Sequence, residues 1–252
     1  MEPNKKIYFA SDFHLGSPSH SKSLEREKKI VQWLNEIKVD AEEIILLGDI
    51  FDFWFEYKHV VPKGFIRLLA KIASLQESGI KISIFTGNHD IWMFDYLEQE
   101  LGVVIYRKEE IRAYNGKKFF IAHGDGLGPG DHKFKFVKRF FTSKFCQRLF
   151  RWLHPDIGIG IALSWSKYSR NHNVKSGIVN YQGEDKEYLV QFAKEKVKTE
   201  QFDYFIFGHR HLMLEIPINV QSTYYNIGDW LSSYSYGVFD GTKFEVKQYD
   251  KV

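Results

Sequence analysis

Five short stretches of this chain carry side chains with lone pairs to give: Asp12-x-His14, Gly48-Asp49, Gly87-Asn88-His89-Asp90, His123-Gly124-Asp125 and Gly208-His209-x-His211. Carboxylate, imidazole and amide oxygen suit borderline-hard divalent ions, and no thiolate accompanies them. Each stretch alone says little, because Gly-Asp pairs are common turns and a lone histidine usually belongs to surface or core. Together, each follows an apolar run. So many polar groups at strand ends would cost several kcal/mol unless something bound them. Two ions held side by side there would activate a water and neutralise charge developing on a phosphate ester or anhydride.

The surrounding pattern supplies the elements that must position these groups. Residues 7–10, 43–47 and 80–85 read as strands, 24–37 and 65–75 as helices between them, and 92–101 as a short helix. A strand at 118–122 leads into His123, and one at 203–207 leads into Gly208. Short strands at 214–218, 223–227, 236–239 and 244–248 follow, with Asp240-Gly241 as a hairpin turn. Sites in open α/β sheets lie outside the carboxyl ends of strands, where all five motifs fall. Residues 131–200 look helical and carry no strand signal. The expected organisation is an α/β core at 1–130 and 201–252, interrupted by a helical cap at 131–200.

Net charge is +3, but ten Lys/Arg face two acids in 131–175, a segment of +8 on a remainder of −5. That gradient implies an anionic partner. Within it Phe134, Val137, Phe141, Phe145, Leu149 and Trp152 recur at helical spacing, with Phe136, Phe140 and Phe150 widening the apolar surface. Composition leaves three readings open. The stripe packs on the domain and solvates its charges, binds an anionic membrane interface, or grips single-stranded nucleic acid. The single cysteine, Cys146, excludes an internal disulfide framework and fits a reducing compartment. The start is polar and runs at once into the first strand, and no stretch approaches the ~20 apolar residues of a spanning helix. A cytoplasmic chain is expected, free to touch a membrane surface.

In this order the motifs resemble the calcineurin-like metallophosphoesterases, over nearly the whole chain outside the cap. The resemblance implies a two-sheet sandwich flanked by helices, with two divalent ions, most readily Mn²⁺, at one edge. One ion would take Asp12, His14 and His211, the other Asn88, His123 and His209, and Asp49 would bridge them. His89 would meet the leaving oxygen. Asp90 would fix its tautomer and orientation, or cap the helix that follows. Arg210 would meet substrate phosphate or be solvated, and His20, His59, His132, His154 and His172 would be ordinary surface or cap residues.

Gly48-Asp49-Ile50-Phe51-Asp52-Phe53-Trp54, His123-Gly124-Asp125-Gly126-Leu127, the helical insertion and Gly228-Asp229-Trp230 look most like the UDP-2,3-diacylglucosamine hydrolases of bacterial lipid A synthesis. Those enzymes cleave a pyrophosphate, releasing UMP and a diacylglucosamine 1-phosphate, with the insertion as a lid over the acyl chains. The partners implied are a nucleotide-activated glycolipid and, through the basic aromatic cap, the anionic surface of the inner membrane, with no nucleic acid. At one position the sequence departs from the best-known members: His89 replaces their arginine, and histidine is the general superfamily choice. A phosphodiesterase or nuclease acting on a nucleotide or nucleic acid is the alternative.

Overall fold

The computed structural model describes residues 1–130, 132–175, 180, 181 and 183–249. The first sheet has strand order β11-β10-β1-β2-β3-β4, built from β1 (Lys6–Ala10), β2 (Ala41–Leu46), β3 (Lys81–Phe85), β4 (Val104–Tyr106), β10 (Ser235–Phe239) and β11 (Phe244–Gln248). β1 to β4 run parallel, and β10 and β11 close the edge antiparallel. The second sheet has order β5-β6-β7-β9-β8, from β5 (Glu110–Tyr114), β6 (Lys117–Ala122), β7 (Tyr204–Phe207), β8 (Met213–Pro217) and β9 (Thr223–Ile227). In it β6, β7 and β9 are parallel.

Strand alternation sorts the core into layers. Ile7, Phe9, Ile45 and Leu47 meet Phe119, Ile121, Ile206 and Tyr225 between the sheets. Their neighbours Tyr8, Ala10, Ile44 and Leu46 face the other way, onto α1 (His20–Ile37), α2 (Ile66–Glu77) and α3 (Tyr96–Leu101). On the far side Phe120, Phe205 and Phe207 pack against Leu189, Val190 and Ala193 of α7 (Tyr188–Lys196). The result is helix, sheet, sheet, helix, the expected sandwich.

Three expectations need correction. Residues 131–200 do not form one cap, because α7 is a core helix of the second sheet. The exposed insertion is α4 (His132–Phe141), α5 (Lys144–Arg151) and α6 (Pro155–Lys175), and among the described residues a 3-10 turn at Glu184–Lys186 precedes α7. Nor does a helix begin at Trp92: α3 starts at Tyr96, and Trp92 instead packs with Phe53 and Phe55 beneath the cap. The strands β4 and β5 are additions to the expected set. The side chains of His132, Phe134 and His172 lie outside the described residues. His20, His59 and His154 are exposed. Among the described residues no helix is long and apolar enough to cross a membrane.

Candidate metal centre

β1, β2 and β3 of one sheet and β6 and β7 of the other all end at the same edge, and each is followed by one of the five motifs. Two groups of ligand atoms form there. His14 Nε2 lies 3.3 Å from His211 Nε2 and 3.6 Å from both Asp12 Oδ1 and Asp49 Oδ2. His211 Nε2 is 3.2 Å from Asp12 Oδ1. In the second group His123 Nε2 stands 3.5 Å from Asp49 Oδ2 and 3.4 Å from Asn88 Oδ1. His209 joins it, with ligand atoms of Asp49, His123 and His209 all within 4.8 Å of one another. Ligands bonded at about 2.0–2.2 Å around one ion stand roughly 3–3.5 Å apart, so these edges fit a cation in each group. Asp49 Oδ2 faces both groups, while Asp49 Oδ1 accepts the His89 backbone N–H at 2.8 Å.

The backbone is strained where the ligands are. Asp12, His14, Asp49, His209 and His211 all have φ between 44° and 66°, the left-handed region. For an L-residue this costs about 1–2 kcal/mol each, although Asp and His tolerate it better than most. Close approach completes the edge. A Cβ at Gly87 would collide with Asp49 Oδ1, and one at Gly208 with Ser11 Oγ and Asp12 Oδ2.

A surrounding layer orients the first. His123 Nδ1 donates to the Leu47 carbonyl at 2.6 Å, leaving the Nε2 lone pair for a cation. His211 Nδ1 pairs with Asp229 Oδ2 at 3.2 Å, and Asp229 is held in turn by the N–H groups of Leu231, Ser232 and Ser233. Asp12 Oδ2 accepts from Ser11 Oγ at 2.6 Å and from the His209 N–H at 2.9 Å, whereas buried Asp12 Oδ1 has no well-aligned hydrogen-bond donor among the described residues, only the rings of His14 and His211 beside it. Buried Arg26 of α1 grips the carbonyls of Phe13, His14 and Ser17. A buried carboxylate oxygen with no well-aligned donor, beside aimed imidazoles, is the donor set a divalent cation completes.

The calcineurin-like phosphoesterase family model matches residues 5–213. The chain belongs to that family. UDP-2,3-diacylglucosamine hydrolase of Porphyromonas gingivalis is 37% identical to this phosphoesterase over 94% of the chain and 95% of its own length. Proteins of the same name from Photorhabdus laumondii and Haemophilus influenzae are 24% and 27% identical, over 88% and 92% of this chain and 90% and 93% of their own lengths. The phosphoesterase is a metal-dependent hydrolase.

Its electrostatics follow from carboxylates and imidazoles sharing a dry site. Burial pulls His123 down, but Asp49 outweighs it and pushes the ring up to about 10. Burial likewise opposes, and Asp12 and Asp229 overcome, in raising His211 to about 10. Burial would raise Asp12 and Asp49, yet the neighbouring histidines hold both far below the carboxylate range. His89 is lowered, chiefly by burial. The field that draws protons onto these rings is the field that would draw cations.

Asp90 does not touch the His89 ring. Its carboxylate is fully buried and accepts the backbone N–H groups of Ile50 at 2.7 Å, Gly87 at 2.8 Å, and Asp49 and Phe51 at 3.3 Å each. It ties the second motif to the third, and with no helix at Trp92 it is not an N-cap either. Burial and then the Asp49 charge push it up to about 7 against those N–H bonds. The expected partner role falls instead to Asp52, whose carbonyl lies 3.0 Å from His89 Nδ1 and whose Oδ1 lies 3.4 Å from His14 Nδ1. His89 also shares a candidate ligand group with His14 and Asp49.

Two basic residues are already engaged. Arg210 makes a two-pronged pair with Glu187, 2.9 Å at each contact, just ahead of α7. Lys138 of α4 reaches Asp125 Oδ2 at 2.7 Å and the Asp125 carbonyl at 2.9 Å, so it belongs to the site edge and is no solvated cap charge. The stripe expected as one helix is two. Phe141 and Phe150 turn inward onto Phe53, Phe55 and Trp92, while Phe136, Phe140, Phe145, Leu149 and Trp152 are exposed.

Proposed function

We propose that this phosphoesterase hydrolyses the pyrophosphate of UDP-2,3-diacylglucosamine to UMP and diacylglucosamine 1-phosphate, at the cytoplasmic surface of the inner membrane. The reading rests on one juxtaposition. A cluster of oxygen and imidazole donors sits beneath a helical cap that turns its apolar side chains Phe145, Leu149 and Trp152 outward beside Lys144, Arg148 and Arg151. The names of the relatives point the same way.

Asp12, His14 and His211 would hold one divalent cation and Asn88, His123 and His209 the other, with Asp49 Oδ2 common to both; a borderline-hard ion, Mn²⁺ before Fe²⁺, would suit such donors. Bound ions would supply Lewis acidity and an activated water. His89 would stabilise the departing oxygen, and the Asp90 carboxylate would keep the loops of the second and third motifs in register. The cap's apolar side chains would seat acyl chains. Its basic residues would add about 1 kcal/mol each near an anionic bilayer.

The test is a panel with Mn²⁺: a UDP-diacylsugar, a cyclic nucleotide, single-stranded DNA and an aryl phosphate. UMP release from the diacylsugar, dependent on detergent or lipid, is expected to exceed every other rate. Faster turnover of DNA, fading steeply with salt, would replace this reading with a nuclease.

A further inference from the structure

One cap residue is unlike its neighbours. On α6 Trp165 and Tyr168 stand in solvent, but Ser166 between them is buried. It continues an inward stripe with Ile159 and Ala162, which pack on the Phe53, Phe55 and Trp92 cluster together with Phe141 and Phe150. The Trp92 indole N–H donates to the Phe141 carbonyl at 2.7 Å, fixing the cap on the loops that carry the second and third motifs.

At the end of this stripe Ser166 Oγ lies 3.0 Å from His89 Nδ1 and 3.0 Å from Asp52 Oδ2. A carboxylate only accepts, so the hydroxyl proton goes to Asp52. The serine oxygen then accepts from Nδ1–H, which the Asp52 carbonyl, also at 3.0 Å, accepts in parallel. Both acceptors place a proton on Nδ1, so Nε2 is the nitrogen turned to the substrate, and it donates to the departing oxygen when the ring carries its second proton. Asp52 Oδ1 meanwhile reaches His14 Nδ1 at 3.4 Å. A single carboxylate thus links a candidate metal ligand, the leaving-group histidine and the cap.

We propose that Ser166 is a positioning residue: carried in by the docked cap, it fixes the ring of His89 through Nδ1 and braces Asp52, so the group facing the departing oxygen is set by the seating of α6. The inference rests on the leaving-group reading of His89. Cap and chemistry are then one device, with docking of the helices over a substrate and orientation of His89 sharing the same contacts. A hydrogen bond of this kind is worth up to about tenfold in a population or a rate.

The test uses full-length protein loaded with Zn²⁺, a diamagnetic ion, and four variants, Ser166→Ala, Ser166→Thr, Ser166→Val and His89→Gln. Proton–nitrogen NMR of labelled histidine reads the His89 ring, assigned by its absence in His89→Gln. Kinetics read an aryl phosphate series from nitrophenyl to the poorer leaving group phenyl. Ser166→Ala and Ser166→Val are expected to shift the His89 Nδ1–H signal and quicken its exchange about tenfold. They should also lower kcat on the phenyl ester about tenfold, with a smaller loss on nitrophenyl and KM within about twofold. Ser166→Thr, which keeps the hydroxyl at the size of valine, restores both. An unchanged His89 signal in Ser166→Ala overturns the proposal, and so does a rise in KM alone, which would make Ser166 a substrate contact. Should His89→Gln itself cost nothing on the phenyl ester, the leaving-group reading falls and takes this inference with it. If His89→Gln is slow while Ser166→Ala is not, only the inference falls.

Discussion

The metal edge and the cap break opposite rules of folding. At the edge, Asp12, Asp49, Asp90 and His14 are buried, a placement that costs several kcal/mol per ion without partners. In the cap, Trp152 is 90% exposed, and leaving such a side chain in water forgoes about 1.5–3 kcal/mol of burial. The carboxylates of Asp12, Asp49 and Asp90 are each answered by an imidazole or a backbone N–H, so rigidity there is over-determined. The side chains of Phe136, Phe145, Leu149 and Trp152 in the cap are left largely in water. One region gathers donors of the kind that hold cations, and the other leaves apolar side chains in water.

The largest effect expected from breaking this contrast is at Asp49. Asp49→Asn removes the charge shared by both groups. Two divalent ions per chain, counted by elemental analysis, should fall towards one or none. Turnover should fall by more than the roughly 10–100-fold that loss of an outer partner costs. Normal occupancy would mean Asp49 bridges nothing. Next comes His89→Ala, which should keep its metal yet slow turnover by roughly 10²–10⁴-fold, most for poor leaving groups.

Third is the pair outside the edge. Glu187→Ala strands half-buried Arg210 and should cost up to about 3–5 kcal/mol in a denaturant titration, with metal affinity falling as the loop between His209 and His211 loosens. Smallest in stability are the outer cap residues. Trp152→Ala should move the melting free energy by no more than about 0.5 kcal/mol. It should still raise KM for a diacyl substrate and weaken binding to anionic vesicles. Phe141→Ala, facing inward, should instead destabilise the cap, by up to about 3–5 kcal/mol if it leaves a cavity. Equal behaviour of the two would erase the distinction between the faces of the cap.

The edge was legible in the sequence because its signal is local. A polar motif directly after an apolar strand is visible within a few residues, and five of them in order identify the family. What was illegible is what depends on distance or on length. Asp52 and Ser166 meet across 114 positions, and nothing in either neighbourhood announces the other. β4 has three residues, too few for alternation to register. The run Ile91-Trp92-Met93-Phe94 looks helical because it is apolar, but its side chains are spent on core and cap packing. Stripes at helical spacing also hid a break. The backbone turns at Thr142 and Ser143, and the face that looked continuous becomes two faces pointing apart.

Each ligand group draws on both sheets, and this sets a clock on synthesis. Asp12, His14, Asp49 and Asn88 leave the ribosome early, but His209 and His211 follow only after the entire cap has been made. Until they arrive neither group is closed. β1 also waits for its neighbour β10, made later still. The nascent chain must therefore carry four strands of parallel sheet with one side open, and with the carboxylates of Asp12 and Asp49 still short of their later histidines. A cation captured at the end of this sequence would fasten two halves that translation produced apart. Cells short of the metal would accumulate chains that are fully made but not yet latched, and those chains would meet proteases first.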